Sequence, residues 1–421
     1  MRIKIIYLFF VIFSISSCLN QTNAQTSFTL QQALVTAREN NPVLKSELFN
    51  VNIAQADILS AKLRPNLILN NQTLQNGQPS HLPGGNFDYS SGQSRQIWWQ
   101  LTKPFQIAGQ RGYKIDYANQ NVSLAQKNYL ETERTIFSGV AAKWLDVWTA
   151  QKQLEIVDKA TSNIKSLVET NQLRFKNQMI TQTDLFRSEL LLKQYELQRN
   201  TLKQEIVNRL NELKFLLGVQ EDLAVDMTDD FLFAIPQNVD SLYNQSLDNR
   251  SDIGVMKSII DVSKSNIKLQ RSLAYPQPEL GFIWNPQNTI PYYGIYATVR
   301  LPVFDRNQGE IKKSFLLKEK AEKELTTIQT KLQSEITVAI DNYRLRLQNI
   351  ENFKILSNQS QTILESVQYS YLKGGTTIID FLEAQRSWLD TQQQYYDALQ
   401  LYRLGYVQLL YTTGLISQLA K

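Results

Sequence analysis

The sequence predicts a mixed, mainly α fold with an internal duplication, each copy joining a pair of strands to a very long coiled helical hairpin. Three observations predict it. Phe175 through Asp184-Leu185-Phe186 matches Tyr371 through Asp380-Phe381-Leu382, and Gly218 matches Gly414, both at a shift of 196 (380 less 184, 414 less 218). A repeat is read before any single element, because missing it mis-assigns the fold. Gly and Pro are scarce, at 16 and 11 of 421 residues, while Leu, Gln, Ala, Lys and Glu fill the long middle stretches, the composition of extended helices. Each half also holds two short stretches that alternate apolar and polar residues with period two, the mark of half-buried strands.

Residues 1–24 read as a targeting segment. Arg2 and Lys4 form a basic start and Ile5 to Ile15 a short apolar core, too short for a comfortable membrane span. Two processing readings stand. Thr22-Asn23-Ala24 before Gln25 suits a signal peptidase, and Ile15-Ser16-Ser17-Cys18 resembles a lipoprotein signal in which Cys18 is lipidated. Cys18 is the only cysteine, so no disulfide forms within the processed chain. Beyond it the chain divides into a first repeat (25–218), an acidic connector (219–240), a second repeat (241–416) and a tail (417–421).

In the first repeat, Ser27 or Thr29 caps a helix, and Asn40-Asn41-Pro42 breaks it, since Pro removes a donor and restricts the residue before it. A helix then runs from about Val43 to Leu63. Leu67 and Leu69 alternate with Asn66 and Asn70; after a Gly/Ser/Pro-rich loop, Ile97, Trp99 and Leu101 alternate with Gln96, Gln100 and Thr102. Two strands joined by a long loop result. From Gly109 to about Leu173 there is no Pro, and roughly 60 helical residues would span about 90 Å. The chain reverses at Lys176-Asn177-Gln178, returns from about Thr183 to Leu217, and stops at Gly218, a C-cap residue.

The second repeat follows the same order. A helix over Ser241 to Leu273 breaks near Arg250 and Ser251. Leu280, Phe282 and Trp284 form one strand face, and Ile295, Ala297, Val299 and Leu301 another. A long helix runs from about Gly309 to Leu372, turns at Gly374-Gly375 and returns from about Ile378 to Leu410. Ala321, Leu325, Ile328, Leu332, Ile336, Ala339, Tyr343, Leu347 and Ile350 make one stripe with a period of about 3.63 residues, which keeps the helix almost straight. Val338, Ile340, Ile355 and Leu356 widen the apolar band, as a helix with neighbours on both sides requires.

Four strands per chain cannot close a barrel, and their edges would stay unpaired. A membrane barrel needs closure so that no backbone group goes unsatisfied in lipid. Three copies would give twelve strands and twelve helical segments, that is, a homotrimer. Trp98, Trp99, Trp284, Tyr292 and Tyr293 at the strand ends suit an interfacial girdle.

This element order, run twice, resembles the TolC-like outer-membrane efflux proteins. The residues that carry the resemblance are Thr29-Leu30-Gln31-Gln32-Ala33-Leu34 through Asn40-Asn41-Pro42, Pro104 to Arg111 (PFQIAGQR), Leu301-Pro302-Val303-Phe304, and Tyr371 to Arg386 (YLKGGTTIIDFLEAQR). The PFQIAGQR and AQR segments look most like the heavy-metal cation efflux branch. The resemblance implies a trimer with a transmembrane β-barrel in outer-membrane lipid and a helical barrel in the periplasm. It implies an exit duct of a tripartite exporter, working with a periplasmic adaptor (membrane fusion) protein and an inner-membrane pump of the resistance-nodulation-division type. Two further readings stay open: a lipid-anchored periplasmic coiled-coil scaffold, to which the alternation at 280–284 and 295–301 would be useless, and the exit duct of a type I protein secretion system.

By that resemblance, Asp380 and Glu383 match the two acidic positions at the narrow periplasmic entrance. One helical turn apart, they share a face, and in a trimer they would form stacked rings that attract cations. Read alone, the pair is an acidic helix start favoured by the helix dipole. Tyr371 matches a family tyrosine that holds the entrance closed. The Arg expected a few residues later is Thr376 here, so packing at the turn is an equal reading of Tyr371. Asn177-Gln178 and Gly374-Gly375 would be turn tips facing the adaptor. Asp184 and Glu189 read as helix-surface charges. His81, the only histidine, lies in a loop and builds no metal site. No catalytic set, phosphate loop or cofactor motif is present, so the chain reads as a non-enzyme without cofactor. The net charge of +5 is spread without a basic patch interleaved with aromatics, which argues against nucleic acid.

Overall fold

The computed structural model of the chain describes residues 26–75, 95–228, 238–286 and 291–421. Residues 1–25, with the segment read as a targeting signal and Cys18, the histidine His81, and Asp229 and Asp230 lie outside the described residues. By contacts the chain forms two compact units, and each draws on both repeats. One comprises 1–45, 132–250 and 331–421, the other 46–131 and 251–330.

The first unit is helical. It contains β1 (Thr26–Phe28), α1 (Leu30–Asn40), the C-terminal parts of α3 (Gln110–Lys176) and α7 (Gln308–Leu372), the return helices α4 (Gln182–Leu217) and α8 (Ile378–Thr413), β4 (Leu223–Val225) and α5 (Val239–Asn249). Thr29 caps α1: its hydroxyl accepts from Gln32 N, and the Gln32 side chain accepts from Thr29 N. This reciprocal pair satisfies two donors that a helix start leaves orphaned. Ser27, the other cap candidate, belongs to β1. β1 and β4 pair in parallel, Ser27 opposite Ala224. Neither strand is foreseen from sequence, because three residues are too few to show alternation and the partner lies in the acidic connector. The segment after Gly414 closes as a 3-10 helix, Ile416–Ala420, and Leu419 and Ala420 join the core rather than trailing as a tail.

One core gathers Leu30, Leu34, Phe137, Trp144, Leu145, Leu213, Leu217, Tyr406 and Leu410. Each Leu or Phe fully buried there contributes roughly 1.5–3 kcal/mol. Trp144 is buried without penalty because its indole N–H donates to the Phe28 carbonyl at 3.0 Å, and the Trp148 indole likewise reaches Met227 O. A second core, built by Val157, Ile164, Leu191, Leu364, Tyr371, Phe381 and Trp388, lies toward the hairpin turns.

The repeat reappears as matched joints. Gly218 and Gly414 end α4 and α8 with φ of 69° and 75°, left-handed values that favour glycine. Each sits against a helix break: a Cβ at Gly218 would strike the Asn40 carbonyl, and one at Gly414 would lie 2.8 Å from Arg250 N. The residue at each break caps the return helix. Asn41 donates to Leu216 O at 2.7 Å and Arg250 to Thr412 O at 3.3 Å, acceptors again 196 apart (412 less 216). Arg250 also pairs with Glu335 at 2.7 Å. Burial raises the Glu335 pKa, but the Arg250 and Lys331 partners outweigh it and hold the carboxyl below its ordinary range.

The second unit carries an antiparallel sheet in the order β2 (Ile68–Gln75), β3 (Arg95–Pro104), β5 (Glu279–Asn285), β6 (Tyr292–Thr298), with α2 (Pro42–Lys62, from residue 46), α6 (Ser251–Leu273) and the starts of α3 and α7. The central pairing joins the two repeats. Leu69, Leu101, Phe282 and Ile295 are successive partners across all four strands, and Trp99, Trp284 and Tyr293 form the next row. These rows make one apolar face, and it is exposed, with Ile295 at 89%. The outer edges of β2 and β6 have no strand partner among the described residues. The alternation expected to reach Val299 and Leu301 ends, as a strand, at Thr298. No described helix is long and apolar enough to cross a membrane.

Candidate functional site

The two hairpin turns are built alike. α3 ends in bonds from Gln178 N to Phe175 O and Met179 N to Arg174 O; α7 ends in bonds from Gly374 N to Tyr371 O and Gly375 N to Ser370 O. The equivalent positions Gln178 and Gly374 both take positive φ, 56° and 79°. A glycine adopts this freely and Gln178 at a cost.

Each return helix then starts with the same capping box. Thr181 and Asp184 bond reciprocally at the first, Thr377 and Asp380 at the second. Asp184 is therefore a helix cap and not merely a surface charge, a role that required pairing Thr181 with it at three-residue spacing. Asp380 is held more firmly. Its Oδ2 accepts from the Thr377 hydroxyl at 2.7 Å, the Thr376 hydroxyl at 2.7 Å and Thr377 N at 3.1 Å. The Thr377 hydroxyl, then the Thr376 hydroxyl and the Thr377 amide, keep this carboxyl below the ordinary carboxylate range. Thr376, where an arginine was expected, is thus a donor to Asp380. Glu383 is exposed one turn further on, separated from Asp380 by the buried Phe381 and Leu382. The repeat equivalent of Glu383 is Arg187, which pairs with Asp184 at 3.5 Å. Where the first copy balances its acid, the second doubles it.

Tyr371 is 4% exposed. Its hydroxyl donates to Asn171 Oδ1 at 2.7 Å, its ring stacks on Phe381 at 5.6 Å, and the Arg174 guanidinium lies 4.8 Å over that ring. Arg174 also donates to Leu372 O at 3.1 Å. A guanidinium on an aromatic face that also bonds the adjoining carbonyl fixes the ring in orientation as well as position. The end of α3 is therefore tied to the end of α7 by a hydrogen bond, a cation–π contact and a charge-assisted bond. The guanidinium on the Tyr371 ring thus comes from the other repeat. Sequence reading missed Asn171 and Arg174; the signal was faint, since the repeat equivalent of Arg174 is Ser370 and only the first copy carries charge there.

Beneath this tie the packing is incompletely satisfied. Gln385 is fully buried, and neither its Oε1 nor its Nε2 has a partner among the described residues; the Trp388 indole N–H and the Tyr195 hydroxyl are likewise unpartnered. Burial pushes the Tyr195 phenol far up, Arg386 lowering and Asp390 raising it further, so it stays a neutral donor. Buried polar groups left unpaired weaken a packed helix layer.

The sequence profile of the outer membrane efflux protein family matches residues 33–219 and 242–415. The chain belongs to the outer membrane efflux protein family. The two matched segments coincide closely with the two repeats. Among curated relatives, the cobalt-zinc-cadmium resistance protein CzcC of Cupriavidus metallidurans is 20% identical over 376 residues, covering 88% of this chain and 86% of that protein. Solved structures share the fold. The Campylobacter jejuni CmeC outer membrane channel superposes with a TM-score of 0.76 at 17% identity, covering 91% of this chain and 85% of that one. The open state of the Neisseria gonorrhoeae MtrE outer membrane channel superposes with a TM-score of 0.72 at 17% identity, covering 92% and 89%.

Proposed function

We propose that this outer membrane efflux protein works as a homotrimeric exit duct, passing substrate from an inner-membrane pump and a periplasmic adaptor across the outer membrane. The observation that carries the proposal is the four-stranded sheet with two unpaired edges and an exposed apolar face. Such a sheet is stable in lipid only when its edges are closed by further copies, and three copies supply twelve strands, within the range of membrane barrels. The test is the migration of protein extracted from outer membranes: a heat-sensitive trimer supports the duct, and a soluble periplasmic monomer overturns it.

The tie of Tyr371, Asn171 and Arg174 serves as an intrachain latch at the entrance. Asp380 and Glu383 form the acidic constriction, with Asp380 shaping the helix start and the unpaired Glu383 facing the cargo. Asn177, Gln178, Gly374 and Gly375 form the turn tips that the adaptor contacts, and the pump is of the resistance-nodulation-division type. Metal cations are the cargo class favoured here. The similarity to CzcC supports this, as does an acidic pair in the second copy that lacks the balancing arginine of the first. Direct transport assays of zinc and cobalt in cells lacking the chain test the cargo.

A further inference from the structure

The helix-side ends of the strands carry a charge pattern that the duct does not use. Between Asn66 and Gln100 the sequence has one Lys or Arg, Arg95, and between Glu279 and Val299 it has none. At those strand ends, or in the segments and first helix residues next to them, stand Lys62, Arg64, Lys103 (the last but one residue of β3), Arg111, Arg300 and Arg306. No carboxylate pairs with any of these six among the described residues. Arg111 spends its donors on the Lys62 carbonyl and Arg306 on the Pro302 carbonyl. Cations without a carboxylate partner at the end of an apolar band match the depth of lipid phosphates.

Within this level lies a cleft of about 720 Å³, with Tyr275, Leu301, Pro302 and Phe304 along its apolar wall and Arg300, Glu279 and Asp305 as its charged groups. The apolar wall is exposed: Phe304 is 93% exposed and Leu301 76%. Arg300 forms no ion pair with either carboxylate, and among the described residues Asp305 accepts from Asn307 N alone, at 2.9 Å. Among the described residues, one cleft thus holds a cation without a carboxylate partner, two carboxylates without a cation and an exposed apolar wall.

We infer that this cleft binds an aminophospholipid, with the lipid phosphate at Arg300, the primary ammonium at Glu279 and Asp305, and an acyl chain against Phe304 and Leu301. The charge complement selects this occupant. A lipid whose headgroup is only anionic leaves the two carboxylates unpaired and repels them, and a choline headgroup has no N–H to donate to them. The inference rests on the outer-membrane reading, since a lipid surface must reach the strand ends.

The test uses full-length protein extracted from membranes, delipidated in detergent and followed by native mass spectrometry. It is titrated with phosphatidylethanolamine, phosphatidylglycerol or phosphatidylcholine of the same acyl chains. Phosphatidylethanolamine is expected to bind at least tenfold more tightly than the other two. Asp305→Asn, which keeps an acceptor for Asn307 N, and Arg300→Gln are each expected to weaken it at least fivefold, while Arg300→Lys retains it. Equal binding of the three lipids, or preference unchanged in Asp305→Asn and Arg300→Gln, would overturn the assignment. Loss of trimer mass with lipid preference intact would also overturn it, making the cleft a contact between copies. The oligomeric mass is read in the same spectra, so failure of the duct reading appears separately from failure of lipid selectivity.

Discussion

The Tyr371 hydroxyl donates to Asn171 Oδ1 across 200 residues of sequence, at 2.7 Å, and both residues are buried. Tyr371→Phe keeps the ring stacked on Phe381 and leaves the Asn171 carboxamide oxygen without a donor. Stranding a buried acceptor costs about 1–3 kcal/mol. Tyr371→Phe is expected to lower the thermal midpoint of the purified protein by a few degrees and to raise its conductance. Arg174→Gln should act in the same direction by removing the cation from the ring face. Calorimetry of the two variants and the wild type checks both.

Asp380 and Glu383 separate by experiment. Three hydrogen bonds engage the Asp380 carboxylate, and none engages that of Glu383 among the described residues. Replacing both by Ala is expected to raise single-channel conductance and reduce block by divalent cations. Glu383→Ala alone should remove most of the block, whereas Asp380→Ala should act mainly by loosening the start of α8. Blocking constants for cobalt or magnesium in planar bilayers distinguish the two.

The Asp380 cap also carries a pH signature. Its folded pKa is lowered from 3.8 by the Thr377 and Thr376 donors. A depressed carboxylate pKa contributes stability that is fully present above the unfolded value and is lost as pH falls through the folded one. The stability gap between wild type and Asp380→Ala should therefore be constant from neutrality down to about pH 5 and shrink as pH falls through 3.8 and on through the lower folded value. Thermal melts at pH 7, 5, 4 and 3 measure it.

Gly218→Ala and Gly414→Ala should both destabilise the joints. The left-handed conformation alone costs a non-glycine residue about 1–2 kcal/mol. A Cβ at either site also meets backbone, the Asn40 carbonyl at Gly218 and Arg250 N at Gly414. Gly218→Ala is expected to be the worse, because its obstruction is the tighter. Chemical denaturation of the two variants side by side gives the order.

The long-range order of the fold is legible because it is written locally and then repeated. The stops at Gly218 and Gly414 and the turn at Gly374 follow from glycines that take a left-handed backbone freely, and the break at Arg250 and Ser251 and the turn near Gln178 follow from matching the two repeats. The strand faces around Leu101 and Phe282 show as alternation. β1 and β4 do not show, because a parallel pair of three-residue strands about 200 residues apart leaves no periodic trace. The packing of Leu419 and Ala420 hides for a similar reason: five terminal residues have no pattern, and only the core they fill explains them. At the candidate site, Tyr371, Asp380 and Glu383 are visible as motif positions. Asn171 and Arg174 are ordinary helix residues until tertiary packing sets them against Tyr371. Thr376 looks like a lost arginine in sequence and is a donor to Asp380 in space.

Planar-bilayer recording on the purified full-length protein and on the Tyr371→Phe, Arg174→Gln double variant tests the central claim most directly, that the chain is a duct held shut by this latch. The latched duct predicts small, cation-selective steps for the wild type and steps at least severalfold larger for the double variant, with the same oligomeric mass. Wild-type and variant steps of equal size, or no conductance from either, would contradict it.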